Sequence, residues 1–258
     1  MTEAAAYLAA RALDMLRAEG WQAMIVLLRV GTFTSFMPGF GEQSVPARIK
    51  LVVALSLTAV VLAARPALPG DPPSPEAFAH LLATEVVAGL ALGLGLRLFV
   101  LALQTTGSMI AQATSLSQIL GMTLIEPMPA IGNILVIGGL ALAMVMGLHV
   151  HAVLYLLISY EAMPAGQWPA AADLTQWGIA LTGRSFRLAF TLAAPFIIIS
   201  VIYNLTLGVI NRAMPQLMVA FVGAPVITFG GMALLLLLVA PLLTTWAEAL
   251  FGFLHQPF

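Results

Sequence analysis

About six long apolar segments, separated by short polar stretches, run along the 258-residue chain. A helix needs about 17 to 25 mostly apolar residues to cross the hydrocarbon core of a bilayer, and each segment reaches that length. The segments lie near residues 21–37, 48–64, 78–103, 131–160, 178–210 and 218–253. Hydrophobic residues make up 61% of the chain and charged residues only 8%, far from the balance of a soluble domain. We therefore expect an all-α integral membrane protein, or a subunit that its partners bury almost entirely.

The last three segments are too long for one straight span. Each contains a residue pair or a proline that is typical of a helix break: Gly138-Gly139, Pro195 and Gly230-Gly231. We expect broken or kinked helical hairpins. The basic residues of the connecting loops divide almost evenly between the two sides of the membrane, so the positive-inside rule does not choose an orientation. This pattern indicates that the chain does not cross the bilayer in a simple zigzag.

The first 20 residues read as an amphipathic helix. Their leucines and alanines share one helical face, whereas Arg11, Asp14 and Arg17 lie on another, as in a helix that rests on a membrane surface. A short solvated lead-in helix explains the same pattern. The charges interrupt any apolar signal core, so we expect no cleavable signal peptide. We interpret residues 1–258 as a single domain.

Three charged residues fall inside apolar segments: Arg29, Glu85 and Arg97. An ionisable side chain within a membrane helix costs a few kcal/mol or more unless it meets a partner or water. Glu85 and Arg97 are three helical turns apart in one segment and cannot pair with each other. One hypothesis pairs Glu85 with Arg29 of a neighbouring helix; the alternative is a relay for protons or substrate.

Residues 104–133 form a polar stretch that carries only one charge, Glu126, and is rich in Gln, Ser, Thr and Met. Flexible thioethers at Met109, Met122 and Met128 can adapt to varied neighbours. Uncharged constrictions of this kind can close a pore by excluding water. An ordinary interhelical loop with Met as filler explains the composition equally well.

A stripe of small and polar residues follows one face of the fifth segment. Ser200, Asn204, Gly208 and Arg212 recur every four residues, and Gly89 and Gly93 give the third segment a similar small face. Lipid penalises such a stripe, whereas a neighbouring helix can approach the small residues closely and hydrogen-bond to the polar ones. We therefore expect the stripe to meet other protein.

The sequence contains no pattern that is typical of catalysis. There is no cysteine, and no zinc-protease, nucleophile-elbow or Walker A motif. His149 and His151 are two residues apart, so on a helix they point in different directions and cannot share a metal. We expect no enzymatic activity, no metal and no cofactor.

The stretches LGVINRAMPQL, at residues 207–217, and FVGAP, at residues 221–225, resemble the signature of the FliR family of flagellar export proteins and their type III secretion counterparts. GLALGLGLRLFVLALQTTGSMI, at residues 89–110, is also similar to the family. The family pattern of the first two helices is matched by Arg29, Pro38, Gly41, Val45, Pro46, Arg48 and Lys50. The resemblance covers nearly the whole chain, with two departures: Met218 in place of a small polar residue, and a short tail after Glu248.

This resemblance implies a core subunit of an export gate in the inner membrane of a bacterium, within the flagellar basal body. It implies a helical hetero-oligomer in which broken hairpins assemble with P-type and Q-type subunits around a channel for unfolded flagellar proteins. Other implied partners are the B-type switch protein, the A-type export protein, the exported substrates and membrane lipid, with no nucleic acid. It also implies that residues from about 107 to 125 plug the closed channel: Gly107, Met109, Gln112, Ser115, Ser117, Gln118, Gly121 and Met122.

In such an assembly the turn between the last two segments lies against neighbouring subunits. Its backbone must then be satisfied by protein groups, which Asn211, Arg212 and Gln216 can provide, while Pro215 sharpens the break and glycine shapes the return helix. The expected subunit interface comprises Asn204, Gly208, Asn211, Arg212, Pro215, Gln216, Gly223 and Pro225.

Two other classes of protein remain as alternatives. A secondary transporter uses broken midplane helices and an intramembrane Glu, although we find no inverted repeat and no cluster of ionisable residues in the sequence. A membrane-embedded enzyme is the third class, and the sequence offers no nucleophile or metal constellation for it.

Overall fold

A computed structural model describes residues 20–65, 74–114, 130–214 and 219–258, and the described part of the chain is helical without strands. Residues 20–36 form helix α1. The later helices are α2 (Ala47–Ala64), α3 (Pro75–Ala113), α4 (Ala130–Val145), α5 (Leu148–Ala162), α6 (Ala171–Ala213) and α7 (Val219–His255). The expected amphipathic helix at residues 1–20 lies outside the described residues, apart from Gly20.

Four of the described helices are long and apolar enough to cross a membrane: α2, α3, α6 and the part of α7 from Pro225. Helices α4 and α5 together add a fifth candidate if the pair counts as one broken span. The all-α membrane fold expected from the sequence is therefore confirmed, with four to five spans among the described residues where the sequence suggested about six.

The breaks between helices do not fall where the sequence placed them. Gly138-Gly139 lies inside α4, and the fourth segment breaks instead at Gly147, whose φ of +85° is a left-handed conformation that suits glycine. Pro195 lies inside α6, and Gly230-Gly231 lies inside α7. The helices thus continue through these three positions.

The third segment is longer than predicted. Helix α3 continues through the expected boundary at residue 103 and ends at Ala113, and α4 begins at Ala130. The first ten residues of the polar stretch 104–133 are thus helical, as are its last four. Residues 115–129 lie outside the described part of the chain.

Three buried threonine hydroxyls in the apolar helices are satisfied within their own helix. Thr34, Thr58 and Thr106 each donate a hydrogen bond of 2.7 Å to the carbonyl oxygen four residues earlier. This arrangement satisfies the hydroxyl without a partner from another helix. Threonine can therefore occupy buried positions in these spans without the cost of an unpaired polar group.

The chain divides into two compact units. The first contains the described residues up to Arg97, then Gly147–Gly178 and Leu254–Phe258. Within it α2 packs against α5, and α1 packs closely against α3. A side chain at Gly89 would collide with the carbonyl oxygen of Arg29, and a Cβ at Gly93 would lie 2.9 Å from the carbonyl oxygen of Phe33. The small face predicted for the third segment is thus the contact surface for α1.

The second unit contains Leu98–Met146 and Ile179–Phe253. Helices α3 and α4 cross where Gly107 meets the backbone of Gly132. The indole Nε1 of Trp246, a fully buried side chain, donates a 2.8 Å hydrogen bond to the carbonyl oxygen of Phe99. A Cβ at Gly139 would lie 3.3 Å from the Trp246 ring, so this glycine makes room for the indole.

Candidate functional site

Arg29 and Glu85 form a buried ion pair in the first unit. The Arg29 Nε atom lies 2.8 Å from Oε2 of Glu85, and Nη2 lies 2.9 Å from Oε1, so the guanidinium and carboxylate meet through two parallel hydrogen bonds. The two side chains are 1% and 0% exposed. Bidentate geometry of this kind is the strong form of an Arg–carboxylate contact. The structure therefore brings together the two residues that the sequence suggested as partners.

The remaining N–H groups of Arg29 are also used. Nη1 donates to the carbonyl oxygen and to Oγ of Ser159, both at 3.3 Å, and Nη2 donates to the carbonyl oxygen of Met163 at 2.9 Å. The backbone N–H of Gly166 donates to Oε1 of Glu85 at 3.4 Å. Arg29 thus has five hydrogen bonds for its five N–H donors. The pair joins α1, α3 and the end of α5 into one polar cluster inside an apolar unit.

Tyr160, in the last turn of α5, extends this cluster toward α2. The guanidinium carbon of Arg29 lies 3.8 Å from the centroid of the Tyr160 ring, and that of Arg65 lies 4.5 Å from the same centroid. Arginine above an aromatic face is attracted by the quadrupole of the ring. One aromatic side chain therefore contacts two guanidinium groups, only one of which has a carboxylate partner among the described residues.

Arg97 forms a second ion pair that is partly exposed. Its Nη1 donates to Oε1 of Glu42, in the loop between α1 and α2, and the two side chains are 25% and 21% exposed. Exposed pairs of this kind contribute about 0–1 kcal/mol. Arg97 is therefore a partly exposed charge within α3 rather than a deeply buried one.

The predicted polar stripe lies on an exposed face of α6. Asn204 Nδ2 donates a 3.2 Å hydrogen bond to Oγ of Ser200, and a Cβ added at Gly208 would meet nothing within 4 Å. Asn204, Gly208, Asn211 and Arg212 are all exposed. Pro225 lies inside α7 and is exposed, Gly223 belongs to the same helix, and Pro215 and Gln216 lie outside the described residues.

Large apolar side chains are exposed on the same helix and on α7. Helix α6 exposes Leu205 at 70% and Val209 at 63%, and α7 exposes Phe229 at 72% and Leu236 at 79%. Only 22% and 11% of the residues in the most apolar stretches of α6 and α7 are buried, against 56% in α3. The two helices thus present an apolar surface in which polar residues are embedded.

The predicted plug residues divide between two places. Gly107 packs in the α3–α4 crossing, whereas Met109 and Gln112 line a cavity of about 330 Å³ whose other wall includes Ser200. Ser115, Ser117, Gln118, Gly121 and Met122 lie outside the described residues. Part of the predicted plug is therefore helix, and Gly107 has a packing role that the sequence did not indicate.

Within the described ranges, no group of three or more His, Asp or Glu side chains is placed to hold a metal ion. The rings of His151 and His255 are neighbours, with centroids 5.4 Å apart.

Comparison with known proteins assigns the chain to a family. Residues 21–253 match the family described as bacterial export proteins, family 1. The chain belongs to the FliR family. It is 33% identical over 232 residues to the flagellar biosynthetic protein FliR of Caulobacter vibrioides, an alignment that covers 88% of this chain and 91% of that protein. It is 31% identical to the Escherichia coli K12 protein of the same name, with coverage of 88% and 87%. The FliR of Aquifex aeolicus is 29% identical, with coverage of 86% of each chain.

Several partners of the charged groups were missed by sequence reasoning in this FliR-family chain. Ser159 accepts through its carbonyl oxygen and its hydroxyl, Met163 accepts through its carbonyl oxygen, and Gly166 donates its backbone N–H. No sequence pattern identifies a backbone group as a hydrogen-bond partner. Glu42 is the single carboxylate in the first polar loop, PGFGEQSVPAR. Because it is the only acidic residue there, it was the one partner for Arg97 that the sequence of this loop could have suggested. Nothing in the sequence connects Arg65 with Tyr160.

Proposed function

We propose that this chain is a core subunit of the flagellar protein export gate in the bacterial inner membrane. It assembles with P-type and Q-type subunits into a closed helical array, through which unfolded flagellar proteins pass. The named relatives, all flagellar biosynthetic proteins, support a role in the flagellar export apparatus. The B-type switch protein and the A-type export protein are its further partners in that apparatus.

The observation that carries this proposal is the mixed surface of α6 and α7. Lipid accepts exposed Leu and Val side chains but penalises Asn204, Asn211 and Arg212 among them. A neighbouring protein satisfies both kinds of residue, since it buries the apolar side chains and offers hydrogen-bond partners to the polar ones. Sister subunits of the gate are the partners that fit this surface.

The plug completes the proposed mechanism. Met109 and Gln112 line the cavity beside Ser200 near the end of α3, and residues 115–129 follow shortly after them in the sequence. In the closed gate this stretch blocks the channel, and an arriving substrate displaces it. Flexible Met and Gln side chains then re-form the seal. Because the sequence contains no Walker A loop, the energy for export comes from other components.

The test is the recovery of the gate complex from cells that carry Arg212→Ala. Within the described residues no side chain forms an ion pair with Arg212, so its removal leaves the isolated chain intact. If Arg212 donates hydrogen bonds to carbonyls or to a carboxylate of a neighbouring subunit, its loss leaves those groups unpaired and costs about 1–3 kcal/mol. We expect roughly a tenfold or greater loss of copurifying P-type and Q-type subunits. Normal recovery would refute the assignment.

A second variant separates assembly from folding. Gly208→Leu adds a side chain to a position that is open in the chain, so it blocks only a partner. Gly183→Leu is the matched control, because Gly183 lies on the same helix, is also open, and is outside the stripe. We expect the complex to be lost with Gly208→Leu and retained with Gly183→Leu. Equal behaviour of the two would count against a subunit contact at the stripe.

The secondary transporter receives no support from the buried charges. A coupling site must release and rebind an ion or proton, which requires a group that can lose its partner at low cost. Arg29 and Glu85 are instead saturated by hydrogen bonds from three elements. The arrangement fits a structural clamp rather than a relay.

A further inference from the structure

The first unit contains a pocket of about 290 Å³ beside the start of α6. Its lining includes Leu92 of α3, which is fully buried, and residues of the loop 163–170. The first two turns of α6 and the ring of Phe258 complete it. Ligand sites in proteins are mostly apolar concavities of about 300–1,000 Å³. This pocket lies at the lower end of that range, so it suits a small ligand rather than a phospholipid with two acyl chains.

Hydrogen bonds hold the walls of this pocket in place. The carbonyl oxygen of Met163 accepts from Nη2 of Arg29 at 2.9 Å, so the buried ion pair also fixes the start of the loop. On the other side, Nε1 of Trp177 donates to the carbonyl oxygen of Pro257 at 2.8 Å, and the ring of Phe258 stacks on that of Trp177 with centroids 6.3 Å apart. Fixed walls reduce the conformational entropy that is lost when a ligand binds.

The charge at the pocket is negative. Asp173 is the only ionisable side chain among the described residues that line it. This carboxylate lies in the first turn of α6, is exposed, and forms no ion pair with a described residue. An ionised carboxylate can only accept hydrogen bonds, so it requires a donor from the ligand.

The rest of the lining selects an apolar ligand that carries positive charge. Trp177 and Phe258 supply aromatic rings, and such rings attract cations through their quadrupole. The indole N–H of Trp177 is already used by Pro257, so it does not call for an acceptor on the ligand. Leu92 and Leu174 offer only apolar contacts. A carboxylate beside aromatic and aliphatic side chains fits an ammonium group on an apolar body.

We propose that this pocket binds a small organic cation, in which an ammonium group is carried by an apolar body. The ammonium donates to the carboxylate of Asp173, and the apolar body lies against Leu92, Leu174 and Trp177. Asp173 repels an anion of the same shape, and a neutral analogue lacks the attraction between charges. The site is independent of the gate assembly proposed above.

The experiment uses the full-length chain, purified in an uncharged detergent with whatever subunits accompany it. Three probes share one body and differ in charge: phenylpropylammonium, phenylpropanol and phenylpropionate. The midpoint of thermal unfolding is measured against increasing concentrations of each probe, because a ligand of the folded state raises this midpoint by mass action. The ammonium probe should raise the midpoint of the wild type most, and the carboxylate probe should raise it least.

Two variants and a matched control assign the binding to this pocket. Asp173→Asn should weaken the ammonium probe about two- to fivefold, the effect of one exposed ion pair, and leave phenylpropanol unchanged. Ala91→Leu adds a side chain to the lining and should weaken both probes about tenfold or more. Glu161→Gln removes an exposed carboxylate that lies outside the pocket, so it should leave the ammonium probe unchanged. Unfolding midpoints without probe show that each variant is folded, and the exposed Asp173→Asn keeps the test valid if Ala91→Leu is not.

Three results would overturn the proposal. Equal binding of the ammonium and alcohol probes, with no effect of Asp173→Asn, would indicate an apolar pocket that does not select charge. Equal weakening by Glu161→Gln would indicate non-specific attraction to a cation. Binding by the isolated chain that is lost in the assembled complex would assign the pocket to a side chain of a partner subunit. Loss of subunits with Arg212→Ala has no bearing on probe binding by the chain, so the two proposals fail separately.

Discussion

At the scale of single residues, this protein tolerates buried charge because hydrogen bonds saturate it. Burial of an ion pair is costly, and the attraction of the two charges offsets that cost only where the remaining lone pairs and protons are also satisfied. The pair of Arg29 and Glu85 meets this condition through Ser159, Met163 and Gly166. Removal of either partner therefore leaves the other charge buried and unpaired, which lowers the free energy of unfolding.

Glu85→Gln tests this account. The amide keeps the shape of the side chain but leaves the Arg29 charge buried without a counter-ion, which costs about 3–5 kcal/mol. We expect a large drop in the unfolding midpoint of the chain in detergent. The charge swap Arg29→Glu with Glu85→Arg should restore little, because the groups of Ser159 and Met163 are acceptors that need the N–H donors at position 29.

Glu42→Gln is the matched control for the buried pair. It breaks the pair with Arg97 by the same chemical change, but the two side chains there are 25% and 21% exposed. Water replaces the lost partner, so the cost should be about 0–1 kcal/mol. A Glu85→Gln variant as stable as Glu42→Gln would show that the buried pair contributes no more than a surface contact.

At the scale of helices, glycine determines how closely two elements approach. Glu85, Gly89 and Gly93 lie four residues apart on the face of α3 that meets α1. The glycines let the backbone of α1 come near enough for Arg29 to reach Glu85 through its Nε and Nη2 atoms. The same spacing of small residues on α3 therefore permits both the close helix contact and the ion pair.

Gly89→Ala should disrupt that approach. The new methyl group would collide with the carbonyl oxygen of Arg29, a backbone atom that cannot rotate away. Overpacking of this kind costs about 1–3 kcal/mol, which should lower the unfolding midpoint. Gly31→Ala on α1 meets nothing within 4 Å, so the better helix propensity of alanine should raise stability by up to about 1 kcal/mol. Effects of the same sign in both variants would contradict the assigned packing.

The sequence predicted these elements unevenly, and the reasons are physical. Apolar length identified most of the spans, and the small face of Gly89 and Gly93 was correctly expected to meet protein, because both signals are periodic within one helix. The position of the break was not predictable, since a glycine serves close packing as well as a turn. Gly139 makes room for Trp246, whereas Gly147 supplies the left-handed turn. The contact of Arg65 with Tyr160 depends on tertiary packing alone.

At the scale of the whole molecule, two kinds of exposed surface coexist. The face of α2 is apolar without unsatisfied polar groups, which suits lipid. The faces of α6 and α7 combine exposed apolar residues with Asn204, Asn211 and Arg212, which suits protein. Both kinds of surface fit the proposed gate, in which a subunit contacts membrane lipid as well as neighbouring subunits.

The proposed plug can be tested without damage to the described fold. Gly107 packs against Gly132, so a deletion that starts at residue 107 would break the α3–α4 crossing and could not be interpreted. Replacement of residues 116–125 by a Gly-Ser sequence of equal length leaves α3 and α4 complete. It removes the side chains of Ser117, Gln118 and Met122 and keeps the connection.

We expect this replacement to make the assembled gate leak small ions in the absence of export substrate, because a Gly-Ser chain cannot form a dry seal of Met and Gln side chains. The measurement is the conductance of the complex reconstituted into a planar bilayer. An equal-length Gly-Ser replacement of residues 66–73, in the proline-rich connector between α2 and α3, is the control and should leave the closed gate tight. Since both variants lose side chains from an interhelical segment, a leak in the first alone assigns the seal to residues 116–125. A closed complex with unchanged conductance would remove the plug from the mechanism.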